Sequence, residues 1–191
     1  MKKIKIIALI GKSGAGKDYW LHRICSKDKE VHEIISCTTR PARWQEENGK
    51  NYYFLTDEQF LNEAYVEHCE FNRWRYGTRE KDLSEDKVNI GVFNLKGIKQ
   101  LVHNQDIDLT IIHIKAPDRV RLIRQLERLN DDDNIAEVLR RYAADEADFN
   151  LDQRKVANEL SIPYYCIFNS DGNVKPNEEF IRQIITEVKS K

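Results

Sequence analysis

The chain has 191 residues, 40% hydrophobic, 33% charged and 9% aromatic, which suits one domain with a single sizeable core and excludes intrinsic disorder. Lysine and arginine total 31 against 32 for aspartate and glutamate, and a net charge of −1 excludes a globally basic nucleic-acid binder and a polyacidic tail. The longest apolar run, Ile6 to Ile10, is far short of the ~20 residues that a membrane span needs.

In chain order, Met1-Lys2-Lys3 is basic like a signal peptide, but the apolar run after it is short and meets Gly11 rather than a cleavage site. Ile4 to Ile10 is predicted as a buried strand and Asp18 to Ser26 as the helix that follows. Glu33 to Cys37 is read as a second short strand, and Tyr52 to Leu55 as another after a polar stretch. Thr56-Asp57-Glu58-Gln59 has the form of a helix start. Strands are predicted at Val88 to Phe93 and Leu109 to Ile114, with a helix over Leu95 to His103 between them. A helix runs from Asp118 to about Leu129, an acidic loop covers Asn130 to Asn134, and helical pattern resumes at Ile135 towards Leu160. Tyr164 to Phe168 is the last strand. The closing helix puts Phe180, Ile181, Ile184, Ile185 and Val188 on one face. Strands alternating with helices predict an α/β fold with a parallel sheet covered on both sides, and the short strands and polar loops of Arg40 to Lys87 predict an inserted subdomain.

Four separated cysteines (Cys25, Cys37, Cys69, Cys166) and five scattered histidines offer no disulfide framework and no zinc spacing. They are read as free thiols of a cytoplasmic chain and as surface or packed histidines.

Gly11-Lys12-Ser13-Gly14-Ala15-Gly16-Lys17 stands between the first strand and the first helix and fits the phosphate-binding pattern G-x-x-x-x-G-K-[ST] except at its last position, Asp18. The glycines let backbone N–H groups curl around an anion, the helix start adds partial positive charge, and Lys17 neutralises terminal phosphates. The sequence therefore predicts an ATP site built from Gly11, Ser13, Gly14, Ala15, Gly16, Lys17 and Asp18. Asp18 would serve magnesium directly or through water, because a carboxylate is a good ligand for that ion.

Two further places carry local positive charge. Arg40 and Arg43, three apart between Thr38-Thr39 and Tyr52, suit either a phosphate clamp or a solvated loop. From Lys115 to Arg128 the charge is net +3. Leu122, Leu126 and Leu129 fall on one face of that helix, with Arg121, Arg124 and Arg128 opposite.

The segment Ser36-Cys37-Thr38-Thr39-Arg40-Pro41-Ala42-Arg43, with Glu46 and Asn48-Gly49-Lys50-Asn51-Tyr52-Tyr53-Phe54, resembles the guanylate kinase motif S-x-T-T-R-x-x-R-x-x-E followed by N/D-G-x-D/N-Y-x-F. The resemblance continues through Glu67, Tyr76-Gly77-Thr78, Ala116-Pro117, Arg124, Arg128 and Arg141 and covers nearly the whole chain. It implies a three-layer P-loop kinase fold: a core of residues 1–35, 88–128 and 140–191, a monophosphate-binding insert of residues 36–87, and a lid at about 129–139. It also implies that ATP phosphorylates a nucleoside monophosphate, GMP or dGMP, with Mg2+ as cofactor. Arg40, Arg43, Tyr52 and Tyr76 would then hold the acceptor phosphate with Glu46 beside them, and Ser36, Glu67 and Thr78 would read the base. Lys17, Arg43, Arg124, Arg128 and Arg141 would be the catalytic cations, and Asn169 would lie near adenine. Its partners would be small-molecule nucleotides, with no nucleic acid or membrane, on a monomer or homodimer. Trp20, Trp44 and Trp74 are packing or loop residues, the last two flanking the acceptor motifs.

The chain departs from the family pattern L-D-I-D-x-Q-G, which here reads Gly91-Val92-Phe93-Asn94-Leu95-Lys96-Gly97. Two strand carboxylates are missing and one, Asp18, is gained in the loop. The G-K-D loop and Asn169-Ser170-Asp171-Gly172 also resemble the kinase of ribose 1,5-bisphosphate, which is the alternative acceptor reading. A guanylate-kinase-like protein-binding module is a third, disfavoured by the intact Gly14, Gly16 and Lys17.

Overall fold

The first strand, β1 (Ile4–Ile10), is apolar on both faces because it is central to a sheet covered on both sides. Ile7 and Leu9 enter one core and Ile6, Ala8 and Ile10 the other. The computed structural model describes residues 3–43, 46–71, 73–129, 135–150, 152–170 and 173–191. Around β1 lie β2 (Val31–Glu33), β7 (Val88–Val92), β8 (Ile107–Lys115) and β9 (Tyr164–Phe168), in the order β2-β7-β1-β8-β9 and all parallel. Helices α1 (Lys17–Cys25) and α7 (Val174–Ser190) cover one face, where Trp20, Leu21 and Ile24 meet Ile181, Ile184, Ile185 and Val188. Helix α3 (Leu95–His103) and Phe149 cover the other. This is the expected three-layer α/β arrangement.

A second sheet of β3 (Cys37–Thr38), β4 (Tyr53–Phe54), β5 (Tyr65–Phe71) and β6 (Trp74–Arg79) has the order β4-β3-β6-β5. Between β4 and β5 sits α2 (Asp57–Leu61), started by a capping box in which Thr56 Oγ1 accepts from Gln59 N and Gln59 Oε1 accepts from Thr56 N.

Four expectations are corrected. The single strand read over Glu33 to Cys37 is two strands in two sheets. The amide of buried Ile34 donates to Ile90 O, and the chain then leaves the first sheet for the second. The helical pattern from Ile135 towards Leu160 is two helices, α5 (Ile135–Asp148) and α6 (Gln153–Glu159). The chain breaks because Phe149 turns into the core and Asp152 caps α6 through Arg154 N. Phe180 leaves the stripe of α7 and packs edge-on to Tyr165, 38% exposed.

The fourth correction concerns α4 (Asp118–Leu126). The sequence sets Arg121 on the face opposite Leu122, Leu126 and Leu129, where a solvated arginine face is expected, yet Arg121 is 1% exposed while Leu126 is 46% exposed. Gln125 is buried beside Arg121. The helix packs against backbone carbonyls of the glycine-rich loop, which need donors rather than methyl groups.

Candidate active site

The loop of residues 11–16 joins β1 to α1, and its shape requires glycine where the chain turns left-handed. Gly16 caps α1 at φ 95°, and a Cβ there would fall 2.1 Å from Asn169 Nδ2. Asn169, at the end of β9, donates from that Nδ2 to Ala15 O at 2.8 Å and from its amide to Lys115 O at 2.7 Å. Arg124 spans the same join, donating to Gly14 O at 3.3 Å and to Asn169 O at 3.4 Å. Sequence spacing set Asn169 and Arg124 far apart; the sheet order brings both onto the loop.

Lys17 opens α1 and donates from Nζ to Gly11 O at 2.8 Å and Lys12 O at 3.3 Å. Burial lowers its pKa, with Asp18 and Asp145 acting against that and Arg121 and Arg128 adding to it. Arg128 is exposed near the end of α4, and its charge reaches Lys17. Arg141, on α5, is paired with Glu137 at 2.8 Å rather than lying on the loop. The hydrogen bond from Arg140, with that pair adding to it, holds the Glu137 carboxyl down to about 2.

Two helices, α4 and α5, hold the loop from outside through residues that the sequence did not connect to it. Arg121 donates to Ser13 O at 3.2 Å and to Asp118 at 2.7 Å, and lies 3.2 Å from Glu146 and 3.6 Å from Asp145. Gln125 also reaches Ser13 O, at 3.5 Å. From α5, Asp145 accepts the Ser13 amide at 2.7 Å and Glu146 meets Lys12 at 2.5 Å. Asp145 lies 132 residues from Ser13 in the chain, and no local pattern marks it.

The acceptor motif forms a second group. Arg40 Nη2 donates to Glu46 Oε1 at 2.9 Å, and its guanidinium lies 5.5 Å from the centroid of the Tyr52 ring and 5.8 Å from that of Phe54. Glu46 also accepts the Arg43 amide at 2.7 Å, so it shapes the loop that carries both arginines; the Arg43 residue itself is exposed. Tyr76 packs edge-on to Tyr52 with ring centroids 6.1 Å apart. Burial and the field of Asp18 both raise the Tyr52 pKa.

A third group lies deeper. Thr78, wholly buried on β6, donates from Oγ1 to Oε1 of buried Glu67 on β5 at 2.8 Å. Burial pushes the Glu67 carboxyl up to about 7, with the Thr78 bonds opposing. Ser36 lies at the entry to β3, where its carbonyl accepts the Tyr53 amide. Trp20 is core, Trp74 is exposed at the tip of the β5–β6 hairpin, and Trp44 and Asp171-Gly172 lie outside the described residues, as do Asn130 to Asn134.

The donor set around Asp18 suits magnesium. Asp18 presents exposed hard carboxylate oxygens on the first turn of α1. Among the described residues no group of three or more His, Cys, Asp or Glu gathers to hold a metal ion. One carboxylate completed by nucleotide phosphates and waters is the usual way this ion is held. Asn94, standing where a strand carboxylate was expected, is otherwise engaged: it caps α3 by accepting Gly97 N and donates to Cys69 Sγ.

The guanylate kinase family model matches residues 3–155. A guanylate kinase of Thermotoga maritima is 27% identical over 98% of this chain and 97% of its own length. One of Anaplasma phagocytophilum is 34% identical over 74% of this chain and 72% of its own, and the human enzyme is 30% identical over 74% and 76%. A crystal structure of guanylate kinase from Anaplasma phagocytophilum superposes with a TM-score of 0.62 at 21% identity, covering 100% of this chain and 89% of that one.

Proposed function

The chain belongs to the guanylate kinase family and is an ATP-dependent nucleoside monophosphate kinase, and we propose that its acceptor is GMP or dGMP, read by Glu67 and Thr78. The observation that carries this is the buried Glu67–Thr78 pair. The guanine edge presents N1–H and the N2 amino group as donors beside the O6 acceptor. A carboxylate next to a hydroxyl complements that edge, and adenine does not offer it. A buried polar site rejects the wrong partner strongly because its groups go unpaired. Ser36 would add its hydroxyl to the same edge. A sugar bisphosphate has no such edge, so the pair supports a base acceptor over ribose 1,5-bisphosphate.

Residues 36–87 form the monophosphate-binding part in this reading, the segment at about 129–139 the lid, and residues 1–35, 88–128 and 140–191 the core. Arg40, Arg43, Tyr52 and Tyr76 bind the acceptor phosphate, with Glu46 orienting the arginines. The loop from Gly11 to Lys17 wraps the donor phosphates, with the Ser13 amide held by Asp145. Asn169, bonded to the loop at Ala15 O, would lie near the adenine of ATP. Asp18 would hold Mg2+ together with those phosphates, and the ion would neutralise charge developing between donor and acceptor. Phosphoryl transfer spreads charge over oxygens and needs positioning and cations more than a base. Lys17, Arg43, Arg124, Arg128 and Arg141 are those cations, and Arg141 leaves its Glu137 partner to serve. Lid closure excludes water and suppresses ATP hydrolysis. Among the described residues no helix is long and apolar enough to cross a membrane, and the site is built for small nucleotides.

A coupled ATP assay over GMP, dGMP, AMP, other monophosphates and ribose 1,5-bisphosphate tests the reading. GMP or dGMP should give the highest kcat/KM. Failure of both guanine acceptors overturns it.

A further inference from the structure

We propose that Asp145 is a positioning residue for phosphoryl transfer: by gripping Ser13 it fixes α5, and with it Arg141, against the phosphate loop. The inference rests on the assignment of Arg141 as a catalytic cation above.

Asp145 holds Ser13 twice, with Oδ2 accepting the amide at 2.7 Å and Oδ1 accepting the hydroxyl at 3.3 Å. A carboxylate on an N–H is a charge-assisted bond, stronger than a neutral one. The neighbouring Glu146 takes Lys12 at 2.5 Å and Arg121 at 3.2 Å. Two consecutive acids of α5 thus dock on two consecutive residues of the loop. From the other side Arg121 and Gln125 of α4 hold the Ser13 carbonyl. Ser13 is therefore clasped at its amide by α5 and at its carbonyl by α4, and the two helices are tied through it.

The consequence for catalysis comes from helix geometry. Residues four apart share a face, so Asp145 and Arg141 lie on one side of α5, separated by ~6 Å along its axis. A helix pinned at Asp145 delivers Arg141 to a defined height relative to the loop. An unpinned one leaves the guanidinium to search, and a displacement of ~1 Å in a reacting constellation costs on the order of 100-fold in rate.

The competing idea is that Asp145 plugs the anion cradle and competes with ATP. Two contacts argue against it. The ammonium of Lys17, which a phosphate substitute would attract first, is bonded to Gly11 O and Lys12 O. The ion pair of Asp145 is with Arg121 of α4, at 3.6 Å, rather than with Lys17.

The test compares Asp145→Ala, Asp145→Asn, Arg141→Ala and the double variant D145A/R141A by steady-state kinetics with whichever acceptor the wild type uses. ATP affinity is measured by calorimetry and folding by circular dichroism. For Asp145→Ala, ATP affinity and acceptor KM should stay within about threefold while kcat falls on the order of 30-fold. Asp145→Asn, which keeps an oxygen for the Ser13 amide and carries the test if the alanine variant melts, should recover part of that loss. Because both residues act through one placement, D145A/R141A should be no slower than Arg141→Ala alone, a non-additivity that a general loss of structure does not produce. Wild-type kcat in Asp145→Ala, additive losses in the double variant, or tighter ATP binding with kcat retained overturns the inference. Full kcat in Arg141→Ala overturns it together with the role assigned to Arg141. Failure of the guanine assignment shows instead as a wild-type enzyme turning over another acceptor.

Discussion

Gly97 presses against the Glu67 carboxylate so closely that a Cβ at position 97 would lie 2.5 Å from Oε2. The first turn of α3, capped by Asn94, thereby forms one wall beside the Glu67–Thr78 pair, the proposed base site. Gly97→Ala should push the carboxylate off its Thr78 partner and raise the GMP KM by about tenfold or more, with much smaller change in ATP KM. Equal GMP KM values in the two proteins, measured in the coupled assay, would show that the pocket tolerates the methyl.

The titration of Glu67 makes opposite predictions for stability and for binding. Its carboxyl keeps a proton up to about pH 7 when folded, against an ordinary value of 4.5. The folded state therefore binds more protons in that window. The stability linked to the neutral carboxyl is full below pH 4.5 and is lost as pH rises through 7. In the proposed site the ionised carboxylate accepts from guanine N1–H and the N2 amino group, so GMP KM should rise as pH falls below 7. Glu67→Gln should flatten the pH dependence of urea melts, stabilise the free protein at pH 8 by on the order of 2 kcal/mol, and lose discrimination for guanine. A variant with wild-type pH dependence in both measurements contradicts this assignment.

Asp18 replaces a hydroxyl at the position that normally meets magnesium, while Val92 and Asn94 stand where two carboxylates were expected. If Asp18 supplies the metal oxygen, Asp18→Ala should raise the magnesium concentration for half-maximal rate by about tenfold or more. Unchanged magnesium dependence in that variant, or faster turnover in Asp18→Ser, would sink the idea of compensation.

Arg121 is the buried charge on which the loop, α4 and α5 converge. Arg121→Met should cost about 3–5 kcal/mol in denaturant unfolding, because Asp145 and Asp118 lose their partner and the Ser13 carbonyl its charged donor. A cost under ~1 kcal/mol would mean that the acids rehydrate freely.

Local patterns made the framework legible. The apolar, β-branched run of β1 followed by Gly11 to Lys17 specified strand, loop and helix. The bounds of α3 and the Thr56–Gln59 capping box were equally local. The order from Ser36 to Phe54 identified the acceptor motif and its family. What these patterns lacked was any signal for what lies inside. The periodicity of α4 separates leucines from arginines but does not say which face is buried, because composition does not reveal that the neighbouring surface is a row of loop carbonyls.

The sequence by itself determined the phosphate loop, the alternation of strands and helices, and the acceptor motif, all of which rest on residues adjacent in the chain. Only the tertiary structure decided that Glu67 faces Thr78 out of water, that Asn94 caps a helix beside that pair, and that Asp145 reaches Ser13 across 132 residues. The physical reason is that burial and long-range hydrogen bonds depend on which surfaces the fold brings together. A carboxylate's charge state, or its grip on a distant amide, is a property of that meeting and not of its neighbours in sequence.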